Sequence, residues 1–423
     1  MSLSLAVPDW RLRDHALKTA SSRVDITPSA LTDSAQAVLR MISRSGPMTR
    51  PQLSAALAFS KPTMSAAVGE LEAFGLVRSS GLAKGAMGRT AVTYDLGPNV
   101  GFIVGIDCGT TQVRAAASKL DGNCFAELQQ TVGDGQGPDL DRQRFLAIEA
   151  TLAALLERCG EEAGPLRVIA IALPNIISQA LDRLPARADF LQILQRLRDR
   201  YSVPILLENN VNCAALAEYH LGAAKNHAFA IYMQIGVKVG VGIVLEGRLF
   251  RGFRGGAGEI GHLPFPWSEQ ERPRPEQVER WLGSAELLRR CKESWPASDG
   301  EPPASTTELF ARAQDSAYAR ACIEQHATDI GNLAAACVSM LDPELIVLGG
   351  GVGQNAILLP GVEKVVRQLC WPVEITVSEL SYRATVLGAV RLAIDFAMAS
   401  LLGEDASATF LYPGALTADI IQA

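Results

Sequence analysis

The stretch Glu208-Asn209-Asn210-Val211-Asn212 gathers a carboxylate and three amides within five residues. A β-like run, Val203-Pro204-Ile205-Leu206-Leu207, leads into it, and a helix-like run, Cys213 to Glu218, leads out. The polar side chains therefore fall at a strand end, where open α/β sheets bind ligands. Carboxylates and amides suit such a place because each can span neighbouring hydroxyls. A carboxylate at the second asparagine could also accept a proton from a hydroxyl nucleophile. Asn210 cannot do so at neutral pH, so the stretch reads as a binding site without its general base.

Two hairpins with glycine-containing turns frame this stretch. Phe102 to Asp107 is β-like and ends in Cys108-Gly109-Thr110-Thr111, and a return strand, Val113 to Ser118, follows. Later, Ala228 to Ile235 ends in Gly236-Val237-Lys238-Val239-Gly240 and returns through Val241 to Leu245. Small residues at such turns let backbone N–H groups approach phosphates. One device used twice predicts a duplicated α/β fold with a nucleotide cleft between its lobes.

Ahead of this body lies a shorter segment with a different pattern. Ala35, Val38, Leu39 and Ile42 have the spacing of a buried helical face; Leu53, Ala56 and Leu57 repeat it after Thr49, a predicted N-cap. A third pattern runs through Met64, Val68 and Leu71, with Ser60 as N-cap and Pro62 in the first turn. A glycine-rich turn (Gly81, Gly85, Gly88) and a β run, Ala91 to Asp95, come next. Helix, helix, tight turn, helix and hairpin is the order of a winged helix-turn-helix, whose third helix enters the major groove by its first residues. That leaves Lys61, Thr63, Ser65 and Ala66 facing DNA, with Lys84 and Arg89 on the wing. A three-helix protein-interaction module is the alternative.

Charge supports the division. Residues 1–100 carry 11 Lys and Arg against 7 Asp and Glu, whereas the remainder carries 28 against 38. A basic head on an acidic body suggests that the head alone meets a polyanion. Length (423 residues), 48% hydrophobic and 20% charged residues predict a soluble protein of two or three domains. No apolar run of 18 residues is evident, the best being Val168 to Ile177 with Pro174 inside it, and Met1 to Trp10 has no signal-peptide pattern. Eight scattered cysteines without a C-x-x-C pair point to reduced thiols, a cytoplasmic location and no metal.

From the head to about residue 398 the chain resembles the ROK family, the repressors and sugar kinases of the actin-like ATPase clan. Gly258-Glu259-Ile260-Gly261-His262 is similar to the most recognisable family signature, and Asp107-Cys108-Gly109-Thr110-Thr111 to its first phosphate motif. Asp342 to Gly351, with Gly349 and Gly350, resembles the adenosine-side segment, and Ala384 to Ala389 the closing helix. The resemblance implies an α/β, actin-like (ribonuclease H-like) two-lobe body behind an all-α/winged-helix head. Its parts would be an arm (1–33), the head (34–98), a first lobe (99–210, completed by a helix at about 384–400), a second lobe (211–383) and a tail (401–423). It also implies that Asn209, Glu259, His262 and Glu279 hold the hydroxyls of a hexose, with Asn210 at the base position.

Departures from the family pattern narrow the function. Family kinases have Asn-Asp where Asn209-Asn210 stand, and Gly-Thr-Gly where Gly236-Val237-Lys238 stand. The Pro-Gly pair after the third core strand is Pro174-Asn175. The three-cysteine zinc cluster common after the histidine is replaced by Leu263 to Gln277, which has no cysteine. Asp107, Gly109, Thr111, Gly236, Gly349 and Gly350 therefore read as degenerate nucleotide motifs, with no cofactor expected. The expected protein is a sugar-responsive regulator, a repressor above all, with operator DNA, a monosaccharide effector and a homodimer or homotetramer as its assemblies, and no membrane. Three alternatives stand beside it: a slow sugar kinase, control by a protein partner, and activation rather than repression. At residue level, Asn209 and Asn210 could only cap a helix, and Glu259 and His262 could form a structural pair.

Overall fold

A computed structural model describes residues 31–84, 90–132, 139–174, 188–264 and 274–404. The head is built from α1 (Asp33–Ser45), β1 (Met48–Thr49), α2 (Arg50–Leu57), α3 (Lys61–Ala73), β2 (Val77–Lys84) and β3 (Thr90–Leu96), with sheet order β1-β3-β2. Its helix starts follow the side-chain chemistry. Thr32 caps α1; Thr49 and Gln52 form a reciprocal capping box on α2; Ser60 caps α3 ahead of Pro62. Ala35, Val38, Leu39 and Ile42 are buried as the spacing predicts, as are Met64, Val68 and Leu71, joined by Ala67. Helix α2 departs from expectation: Leu53 is buried, but Ala56 is exposed and Leu57 only half-buried. A helix of eight residues meets the core along a single short row, and the next turn of its stripe reaches past it.

The body repeats one topology. Strands β4 (Phe102–Cys108), β5 (Gln112–Lys119), β6 (Cys124–Thr131), β7 (Leu166–Leu173) and β8 (Ile205–Asn209) form the first sheet, with α4 (Asp139–Cys159) and α5 (Ala188–Tyr201) in its connections. Helix α6 (Asn210–Leu221) leads to β9 (Phe229–Ile235), β10 (Val239–Leu245) and β11 (Arg248–Leu249). Then come α7 (Gln277–Leu282), α8 (Ser284–Glu293), α9 (Thr306–Arg312), α10 (Ala317–Leu341), β12 (Leu345–Gly349), α11 (Gly350–Gly353), α12 (Leu359–Leu369), β13 (Glu374–Val377) and α13 (Ala384–Leu402). The sheet orders are β6-β5-β4-β7-β8 and β11-β10-β9-β12-β13, so each is an antiparallel hairpin continued by two parallel strands. The duplication expected from the two glycine hairpins is present.

The helix after each fifth strand crosses to the other sheet. Helix α6 packs on β9 and β10, α13 packs on β4 and β7, and the two helices pack on each other. The approach is close enough to demand glycine. A Cβ on Gly388 would lie 1.8 Å from the Cys213 carbonyl oxygen, and one on Gly105 would lie 2.5 Å from the Val390 nitrogen. Cys108 and Cys213 fill buried space beside these contacts. The segment Ser381–Leu402 is long and apolar enough to cross a membrane, with mean hydropathy 1.7, which corrects the reading that no such run exists. Its physical role is a core helix, since 67% of the apolar window is buried inside the fold.

Head and body share one hydrophobic cluster. Leu31, Ala35, Val38, Leu39 and Ile42 belong to the same buried group as Leu392, Ile394, Ala397, Leu401 and Leu402 of α13. An Arg40–Glu404 ion pair and a hydrogen bond from the Ser43 hydroxyl to the Leu120 carbonyl (2.9 Å) fasten α1 at the same place. The head is thus seated on the helix that also lies between the two sheets.

Candidate functional site

Strand β8 and helix α6 meet at Asn209. Its Oδ1 accepts hydrogen bonds from the N–H groups of Val211 (2.8 Å) and Asn212 (3.2 Å), so the side chain caps α6. The same residue lines a small cleft together with Val211, Asn212, Gly240, Val241, Gly255, Ala257, Gly258 and Glu259. Asn209 thus caps α6 and borders the pocket at once. Asn210 opens α6, and its carbonyl accepts from the Thr385 hydroxyl at 3.5 Å. It is half-buried and does not belong to the pocket lining as the pocket stands.

Glu259 follows a run of glycines that only glycine chemistry permits. Gly252, Gly255 and Gly258 hold φ values of 70°, 76° and 85°, and a Cβ on Gly258 would strike the Val241 carbonyl oxygen at 1.8 Å. Around Glu259 stand His262, Lys238 and Glu279, all close enough to act on its carboxyl. Burial raises the Glu259 carboxyl above its ordinary value, while His262 and Lys238 pull it back. Glu279 is raised by burial as well; Lys238 opposes this most, and the Val239 N–H also donates to it. The acidic pair and His262 are thus brought together across the rewritten loop. His262 itself is exposed.

The opposite side of the cleft is arranged differently. Asp107, at the end of β4, is 5% exposed and pairs with Arg114 at 3.3 Å. Burial pushes its carboxyl up to about 6 even with the guanidinium beside it. Arg114 also donates to Gln129 (3.2 Å) and lies over the Tyr382 ring. Gly109 donates to the Gln112 carbonyl, and Thr111 is exposed. Gly236 donates to the Lys238 carbonyl and accepts from the Ser284 N–H. Gly349 lies against the Tyr232 ring, and Gly350 has a φ of 82°. Among the described residues no group of three His, Cys, Asp or Glu side chains is placed to hold a metal ion.

Of the residues that line the pocket, Gly255 and Ala257 carry no sequence signal of their own beyond adjacency to the Gly258–His262 motif. Trp281, on α7, is in part exposed; its indole N–H donates to Asp329 (3.2 Å) and Arg290 stacks over its ring at 4.6 Å.

In the head, Lys61, Thr63, Ser65 and Ala66 are all exposed on the first turns of α3. Thr63 also shares a hydroxyl hydrogen bond with the capping Ser60 (2.8 Å). Lys84 ends β2, with its side chain outside the described residues, and Arg89 lies outside them altogether.

Comparison with known proteins agrees with this architecture. The MarR family profile matches residues 31–84. The xylose repressor of Caldicellulosiruptor bescii is 24% identical over 384 residues, covering 84% of this chain and 94% of that protein. The DNA-binding transcriptional dual regulator NagC of Escherichia coli is 22% identical over 350 residues, covering 77% and 82%. A crystal structure of a ROK family transcriptional regulator, a homolog of the E. coli MLC protein, superposes with a TM-score of 0.67 at 21% identity, over 87% of this chain and 96% of that one. A ROK family glucokinase from Streptomyces griseus, solved with glucose and AMPPNP, gives 0.57 at 21% identity, over 70% and 100%. The ROK family profile itself matches residues 103–396, with the two sheets, the glycine turns and the Glu259 signature inside that span, and the chain belongs to the ROK family.

Proposed function

We propose that this protein is a sugar-responsive transcriptional regulator, a repressor, that does no chemistry on its effector. The observation that carries the reading is the pairing, in one chain, of an exposed helix-turn-helix face with a pocket lined by Asn209, Asn212 and Glu259, beside which an amide, Asn210, stands at the base position. Asn209 and Glu259 hold hydroxyls of a monosaccharide from opposite walls, His262 and Glu279 extend the set, and Asn210 touches the sugar from the base position. Lys61, Thr63 and Ser65 meet the operator, with Lys84 and Arg89 on phosphates or in the minor groove. The protein works in the cytoplasm as a homodimer or homotetramer, since paired heads read half-sites about one helical turn apart.

The seat of the head on α13 supports a route between the two ligands. A sugar that prefers one spacing of the pocket walls shifts α6, and α6 packs on α13, which shares a buried cluster with α1. Relatives named xylose repressor and N-acetylglucosamine repressor, and the ROK family glucokinase solved with glucose, make D-xylose, N-acetyl-D-glucosamine and D-glucose the first effectors to try. A thermal-shift screen tests this: a sugar at 100 times its dissociation constant should add about 2.7 kcal/mol of stability. Protection by none of these sugars or their phosphates, alongside intact operator binding, would transfer the reading to a protein effector. In the head, Lys61→Ala should weaken operator binding and lower the salt slope by about 1, the mark of one lost phosphate contact.

A further inference from the structure

Beneath the pocket lies a charge pair that the hydroxyl-binding set does not include. Glu208, on β8, is 2% exposed. Its Oε1 accepts from the Asn209 N–H (2.9 Å) and from Nδ2 of Asn212 (3.0 Å), both residues of one pocket wall. Its Oε2 accepts from Nε of Arg251 at 2.6 Å. Arg251 starts the glycine-rich segment that forms the other wall, and its carbonyl closes that segment by accepting from the Ala257 N–H at 3.0 Å. A run with three glycines at positive φ has little backbone stiffness of its own, so its position must come from what it is tied to.

We infer that Glu208 and Arg251 are a positioning pair: one buried ion pair links the two walls and sets the spacing at which Asn209 and Glu259 can hold a sugar together. This rests on the effector reading above and adds to it the residues that tune affinity without touching the sugar. Removing one partner alone would strand a buried charge and endanger folding, whereas replacing both leaves none behind. The informative variant is therefore the double change Glu208→Gln with Arg251→Met in the full chain, with Arg251→Lys as a second that keeps the charge.

Two measurements decide it. Hydrogen exchange at Ala257 and the amides of Gly252 to Gly258 should be faster in the double variant without any sugar, and less so in Arg251→Lys. Titration with D-xylose, D-glucose and N-acetyl-D-glucosamine should show about tenfold weaker binding of whichever sugar the wild type takes, the scale typical of partners that orient ligand-holding groups. Operator binding should be retained. Wild-type exchange in the 252–258 segment of the folded double variant would overturn the proposal, as would unchanged sugar affinity. Should the wild type bind none of the sugars while the exchange effect appears, the effector reading fails and the positioning of the segment stands.

Discussion

Glu259 and Asp107 are both carboxylates raised by burial, yet Glu259 borders an open pocket with His262 and Lys238 near it, whereas Asp107 is closed against Arg114. On the Glu259 side, backbone strain is spent on three left-handed glycines that keep the wall clear. On the Asp107 side, the polar groups satisfy one another: Asp107 with Arg114, and Arg114 with Gln129. One side of the fold is thus left open while the other pairs internally. Burying a charge demands a partner, and a neighbouring guanidinium supplies one as well as a bound ion would.

Changes on either side test this contrast, beginning with the strongest. Glu259→Ala should remove about 1.5–3 kcal/mol of sugar binding, the worth of charged hydrogen bonds, and leave operator affinity without sugar unchanged by calorimetry. Retained sugar affinity would erase the distinction between the sides. Gly388→Ala acts on the helix crossing that both sides share. Its Cβ would lie 1.8 Å from the Cys213 carbonyl, so a loss of about 1–3 kcal/mol in chemical unfolding is expected, with a weaker effect of sugar on operator binding.

Asp107→Asn sharpens the other side through pH. The Asp107 carboxyl titrates at about 6 in the folded chain against an ordinary 3.8, so the folded state binds the proton more tightly. Its stabilising contribution is present at low pH and is lost as pH rises through 6. The variant should therefore gain on the wild type in melting temperature between about pH 4 and pH 7, with sugar affinity unaltered. A constant difference would show that Arg114 already offsets the burial. The smallest effect is expected from Asn210→Asp: no ATP-dependent phosphorylation of glucose, because Val237, Lys238 and the Arg114 pair remain. Measurable transfer would mean that the phosphate side still works.

Much of this architecture was legible in residue order. Capping residues, apolar spacing and two glycine hairpins are local signals, and they led to the head, the duplication and the strand-to-helix junction at Glu208–Asn212. Ala56 shows the limit of such signals, because a short helix meets its neighbours over less of its surface than its period suggests. Glu208 shows another limit. It stands inside the stretch that drew attention first, but its partner is 43 residues away across the cleft. The apolar α13 carries no local sign that both sheets and the head would bury it.

By itself the sequence determined which chemistry is possible: an amide at position 210 cannot act as a base, and a valine at 237 carries no hydroxyl. Those are properties of side chains and survive any fold. Only the tertiary structure decided which groups face the pocket and which face one another, because pairing depends on distances set by packed helices and sheets. The Glu208–Arg251 tie, the Asp107–Arg114 closure and the seat of the head on α13 belong to that second kind.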